Sequence, residues 1–213
     1  MSPFNLKTIS CVVVFLVALS GFAQQPNFDK WRAQFALGVN HPANSGFANN
    51  VEAKPVNFPT INLGVQRMIT RQIGVRLEYG FNRFSNNDNS PEFKINYSRI
   101  NALAVFDPLD YIKVLPEKLR LFFHGGPGLT FIKPLGNLTA NKENYLNLNI
   151  GSQIHYDLSE TVTVFTDLSY LLGISTSYDF DPALAGLGEF KGNLLTFTVG
   201  ISISLTHCYY CNK

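Results

Sequence analysis

Seven ionisable residues stand out because each interrupts a run of apolar alternation: Arg32, Arg76, Glu78, Arg99, His124, His155 and Asp167. Guanidinium, carboxylate and imidazole groups gathered in one place can do three things. They can neutralise one another as buried ion pairs, line a path for ions, or, through histidine, respond to pH near neutrality. Arg76 and Glu78 are separated only by Leu77, so on a strand they share a face opposite Val75, Leu77 and Tyr79. Charges there would be costly against lipid, so if the apolar face meets hydrocarbon they must point into a lumen. Asn147, Asn149 and Gln153 alternate with apolar neighbours in the same way and join the candidate lumen set.

Other chemistry-bearing residues give weaker signals. His41 and Ser45, with Asp179 and Asp181, supply the types of a nucleophilic triad, but they come from separate loops and gain meaning only by adjacency in space. No catalytic residue is expected from them. Asp179-Phe180-Asp181 and Asn87-Asp88-Asn89 could offer oxygens to a cation, yet neither has the spacing of a Ca²⁺ loop, and both read as turn-formers. No metal or cofactor is expected. His124-Gly125-Gly126-Pro127-Gly128 is glycine-rich but lacks the Lys and Ser/Thr of a phosphate loop and leads into no helix pattern; it reads as a kink or bulge in a strand. Cys208-Tyr209-Tyr210-Cys211 is a lone C-x-x-C, incomplete as a zinc site and without the βαβ context of a redox motif. Cys208 and Cys211 read as a small local disulfide.

The elements that must position these groups are strands. From Leu194 to Leu205, the residues Leu195, Phe197, Val199, Ile201, Ile203 and Leu205 alternate with Thr196, Thr198, Gly200, Ser202 and Ser204. One face is apolar and the other carries small neutral groups, which suits a crowded lumen with lipid outside. The same alternation begins at Trp31, Ile61, Ile73, Phe93, Leu119, Leu146 and Val162, giving eight strands. In the fourth, the favoured register turns Ile100, Ala102, Ala104 and Phe106 outward and Arg99 and Asn101 inward, with a bulge as the alternative. Long polar loops (41–59, 83–92, 133–143 and 171–192) alternate with shorter turns, the rhythm of an antiparallel up-and-down transmembrane barrel.

Composition agrees. Charged residues make up 15% of the 213-residue chain, against roughly 25% in ordinary soluble domains. There are 18 Phe and 9 Tyr, and the net charge of +2 gives no reason to expect a nucleic-acid partner. Residues 1–23 have the plan of a signal peptide: Lys7, an apolar core from Cys11 to Leu19, and Gly21-Phe22-Ala23 as a cleavage site. That gives residues 24–30 as a periplasmic N-terminal segment, 31–205 as the barrel and 206–213 as a C-terminal tail. No later stretch is long and apolar enough for a membrane helix.

The stretches Ile73-Gly74-Val75-Arg76-Leu77-Glu78-Tyr79-Gly80 and Leu121-Phe122-Phe123-His124-Gly125-Gly126-Pro127-Gly128, with the eight-strand rhythm, resemble the small outer-membrane barrels of the OmpA-like family in the form common among Bacteroidetes. The resemblance covers about residues 31–205 and implies an outer-membrane location. It departs in two places: no peptidoglycan-binding domain follows the barrel, and the last strand closes on Leu205 rather than on an aromatic residue. The expected function is a non-enzymatic structural or surface-interaction protein, contacting lipid through its wall and partners through its loops. A narrow pore is the alternative, and a rim enzyme a more remote one. A soluble lipocalin-like barrel is the rival fold, and it inverts every face.

Overall fold

The structure, a computed structural model, describes residues 31–43, 47, 50–108, 116, 118–136, 139, 142–174 and 192–205. Eight strands follow in order: β1 (Trp31–Pro42), β2 (Asn57–Met68), β3 (Ile73–Ser85), β4 (Lys94–Phe106), β5 (Leu119–Pro134), β6 (Glu143–Asp157), β7 (Val162–Ile174) and β8 (Leu194–Ser204). Each pairs antiparallel with its neighbours in sequence, and β8 returns to β1, closing the barrel. The two ends of the wall meet where the Leu205 amide donates to the Trp31 carbonyl at 2.8 Å.

Side-chain exposure decides between the rival orientations. Leu77 is 61% exposed, whereas Arg76 and Asp167 are 1% and 2% exposed. Ile150, Val199 and Phe35 are likewise on the outer surface. The apolar face therefore looks away from the cylinder, the reverse of a soluble barrel. The fourth strand adopts the favoured register, with Ile100 outward and Arg99 and Asn101 inward, and its ladder to β3 runs from Ile73↔Phe106 to Ser85↔Lys94 without a shift.

Two local expectations need correction. The glycine-rich segment of β5 makes no bulge: Asn101 pairs with Gly128 and Ala104 with Gly125, the same register on both sides of an interruption at Gly126-Pro127. Pro127 has no N–H to offer, so the ladder lapses without slipping. A Cβ on Gly126 would lie 2.1 Å from the Ala102 carbonyl oxygen, which explains the glycine there. The bulge lies instead between β1 and β2, where Gly38 pairs with Thr60 but Asn40 with Asn57. The strands also outrun their expected limits: β2 starts at Asn57, β3 continues to Ser85 and β5 reaches Pro134.

The extra length has its own logic. Beyond Phe81, Ile100, Phe131 and Leu146, the outward positions become Arg83, Asn96, Lys133 and Asn144. The inward positions there become apolar, with Phe84, Ile95, Tyr97, Ile132 and Tyr145 in one buried cluster with Val51, Ala53, Phe93, Leu171 and Leu194. Period two persists while the polarity of the two faces exchanges, which is what a strand does when it leaves hydrocarbon for water. Leu77 sits mid-strand in the apolar belt. Substitution Leu77→Arg is expected to destabilise the barrel in vesicles by about 2–4 kcal/mol, measured by urea titration of the folded fraction, whereas the same change on a water-facing surface would be nearly neutral.

Candidate functional site

The side chains with chemistry all point inward. Arg32, Arg76, Glu78, Arg99, His124, His155 and Asp167 are buried, as are Asn147, Asn149 and Gln153. At the centre, Glu78 lies between two guanidinium groups, with its Oε2 3.5 Å from Arg76 Nε and its Oε1 3.3 Å from Arg99 Nη2. Arg99 Nη2 also donates to Asn62 Oδ1 at 2.9 Å, and Arg76 Nη1 to Gln34 Oε1 at 3.0 Å. Arg76 Nη2 reaches Asp167 Oδ2 at 4.0 Å. These links cross the lumen from β2 to β7 and set two cations against two carboxylates.

Asp167 is the second node. Its Oδ2 accepts from Gln153 Nε2 at 2.8 Å and lies 2.9 Å from His124 Nε2, while Ser169 Oγ donates to Oδ1. Gln153 Oε1 in turn meets His155 Nε2 at 2.9 Å, and the His155 ring is held between Phe122 and Phe165. Nearer the long loops, Asn101 Nδ2 donates to Asn147 Oδ1 at 2.5 Å and Asn147 Nδ2 to Thr130 Oγ1 at 2.9 Å.

The bulky groups fit because facing positions are small. A Cβ on Gly80 would fall 2.3 Å from Arg99 Cζ, and one on Gly151 would fall 2.6 Å from His124 Cε1. The hydroxyl row of β8 serves the same end, with Thr196, Thr198 and Ser202 buried against the interior.

Ser169, His124 and Asp167 bring together the three residue types of a hydrolytic triad, and sequence reasoning had not singled out Ser169. Their connectivity is wrong for that chemistry. Ser169 donates to the carboxylate, and His124 faces both partners through the same Nε2, which is 3.5 Å from Ser169 Oγ. A general base must stand between nucleophile and acid, using one ring nitrogen for each. This cluster instead satisfies buried polar atoms.

Of the rim residues, His41 Nδ1 lies 2.7 Å from the Pro55 carbonyl oxygen. Ser45, Asp179, Asp181, Cys208 and Cys211 lie outside the described residues. Asn87-Asp88-Asn89 is a turn, with Asn87 Oδ1 accepting from the Asp88 amide and the Asn87 carbonyl from the Ser90 amide. Among the described residues no group of three or more His, Cys, Asp or Glu side chains could hold a metal.

No protein-family profile and no curated protein matches the chain by sequence. Solved structures match its architecture. The outer membrane protein OprG of Pseudomonas aeruginosa aligns at a TM-score of 0.57 and 11% identity over 82% of this chain and 96% of OprG. Neisserial surface protein A aligns at 0.54 and 11% over 82% and 95%. Outer membrane protein AlkL, solved in lipid bilayers, aligns at 0.51 and 14% over 87% and 95%. The fold is that of an eight-stranded transmembrane β-barrel. At such identities the likeness is one of architecture alone.

Removing one partner of a buried ion pair leaves an uncompensated charge, at a cost of about 3–5 kcal/mol. Glu78→Gln is therefore expected to lower unfolding stability by that order in vesicles. The double variant E78Q/R99Q is expected to lose less than the two single losses combined, since both act on one contact.

Proposed function

We propose that the protein is an exported outer-membrane barrel with a sealed lumen, acting as a non-enzymatic structural and surface-interaction protein through its long loops. The observation that carries this reading is the filled interior. Ion pairs and amides occupy the middle of the lumen, and the apolar cluster around Tyr97, Phe84 and Leu194 occupies the end below the long loops. Eight strands enclose little more than their own side chains, so matched charges there serve as a plug.

The first long loop supports the surface role. Ala53 pairs with Asn86, the Lys54 amide donates to the Ser85 carbonyl at 2.9 Å, and the Asn87 amide donates to the Glu52 carbonyl at 2.8 Å. Phe47 stacks on Phe93 with ring centroids 5.6 Å apart. Phe47 and residues 51–54 thus pack over the ends of β3 and β4 at the barrel mouth, a platform suited to contact with another molecule. Residues 1–23 serve as the export signal in this reading, and the OmpA-like family in its Bacteroidetes form is the affiliation we favour.

Two measurements test it. In fractionated cells the protein is expected in the outer membrane, with a gel mobility that shifts on boiling; recovery in the soluble fraction would contradict the location. In planar bilayers the purified barrel is expected to show no large steady conductance, and a stable open channel would make it a pore.

A further inference from the structure

The outer wall is not uniform at the long-loop end. Arg83 pairs with Asn96, and Asn96 with Lys133, so these three stand side by side on β3, β4 and β5. Ile132 pairs with Glu143, which sets Lys142 beside Lys133 on the same outward row, just past the last ladder pair to β6. Lys94, opposite Ser85, adds a cation one row further out. Arg83, Lys94, Lys133 and Lys142 are all exposed, and among the described residues none of them forms an ion pair. Two acidic residues are close in sequence: Glu92, exposed in the loop before Lys94, and Glu143, next to Lys142 but buried on the inner face.

The row is organised as well as charged. Arg83 Nε donates to Asn96 Oδ1 at 2.9 Å, and the guanidinium lies 5.8 Å from the centroid of the Phe81 ring. It is thereby held at the edge of the apolar belt rather than extended into water. Directly below come Phe81, Ser98 and Phe131, then Tyr79, Ile100, Leu129 and Leu146. Four adjacent strands make a front about 14 Å wide, from the usual strand spacing. Toward the long-loop end of β7, β8, β1 and β2 the outward residues include Ile174, Leu195, His41 and Phe58, so apart from Lys54 in the first long loop the described cations of this end gather on one side.

We propose that this front is a docking surface for an anionic, phosphate-bearing lipid of the outer leaflet. Its phosphates meet Arg83, Lys94, Lys133 and Lys142, and its acyl chains run down the β3–β6 face. Charge complementarity and continuity with the apolar belt through Phe81 and Phe131 select this occupant: a soluble anion would use the cations but leave the aromatic and aliphatic rows idle. Interfacial Lys and Arg attract anionic headgroups through just this placement. The inference rests on the membrane reading.

The experiment compares the wild type with R83Q/K94Q/K133Q/K142Q in phosphatidylcholine vesicles, with or without fluorescent diphosphoryl lipid A. R67Q/R71Q, which removes cations at the opposite end, is the control. Folding in phosphatidylcholine alone, scored by gel mobility before and after boiling, reads the membrane assignment separately. With all three folded, energy transfer from a dye on the barrel to lipid A is expected to show enrichment for the wild type and the control. The apparent affinity should fall at least about tenfold in the quadruple variant. Enrichment unchanged in the quadruple variant, an equal loss in the control, or displacement of lipid A by inorganic phosphate would each overturn the proposal.

Discussion

Hydrocarbon offers a peptide group no hydrogen-bond partner, and that single deprivation governs this structure. A sheet that spans lipid must close on itself, because any edge strand would leave a row of amides and carbonyls unmet. Closure of β8 onto β1 fulfils the requirement. It also fixes everything else: once the ladder is closed, period two sends alternate side chains to lipid and to lumen. Pro127, in the middle of the β4–β5 pairing, shows how strict the rule is. The ladder lapses at Gly126-Pro127 yet resumes in the same register, because a slip of one residue would carry Arg99 and Asn101 into the acyl chains.

The interior follows from the same closure. A cylinder of eight strands has room for side chains and little else, so charged groups sent inward have to neutralise each other at contact distance. Glu78 between Arg76 and Arg99, and Asp167 among His124, Gln153 and Ser169, accomplish this. Such pairs often contribute less to net stability than an apolar filling of equal volume, and breaking one is expensive. Their value lies in specifying a register: Arg99–Glu78, Arg76–Asp167 and His124–Asp167 each join strands that must be aligned for the contact, while Arg76–Glu78 lies within β3.

Much of the architecture was legible in the residues. Strand number, and the sharing of one face by the residues from Arg32 to Asp167, follow from alternation; which face looks outward does not, because a lipocalin-like barrel fits the same charges, and the exposure of Leu77 against the burial of Arg76 and Asp167 decides it. What alternation could not show were the contacts. Which carboxylate meets which guanidinium depends on stagger around the cylinder, and Ser169 looked no different from other small inward residues. The apolar cluster near the mouth was missed for another reason. Phe84, Ile95, Tyr97 and Tyr145 keep period two but with inside and outside exchanged, and that exchange looks like the end of a strand. Reading the reversal itself, at Arg83, Asn96, Lys133 and Asn144, would have located both the longer strands and the cationic front. The β1–β2 bulge carried no comparable signal beyond Pro59.

The central claim is the direction in which the apolar side chains look. It is tested most directly by tryptophan fluorescence in vesicles, with the native Trp31 replaced by Phe and a single reporter placed as Leu77→Trp or Ile150→Trp. Lipids brominated along their acyl chains are expected to quench both reporters strongly, while acrylamide in the aqueous phase leaves them bright. Reporters quenched only from the water, or shielded from both quenchers within a packed interior, would contradict the account.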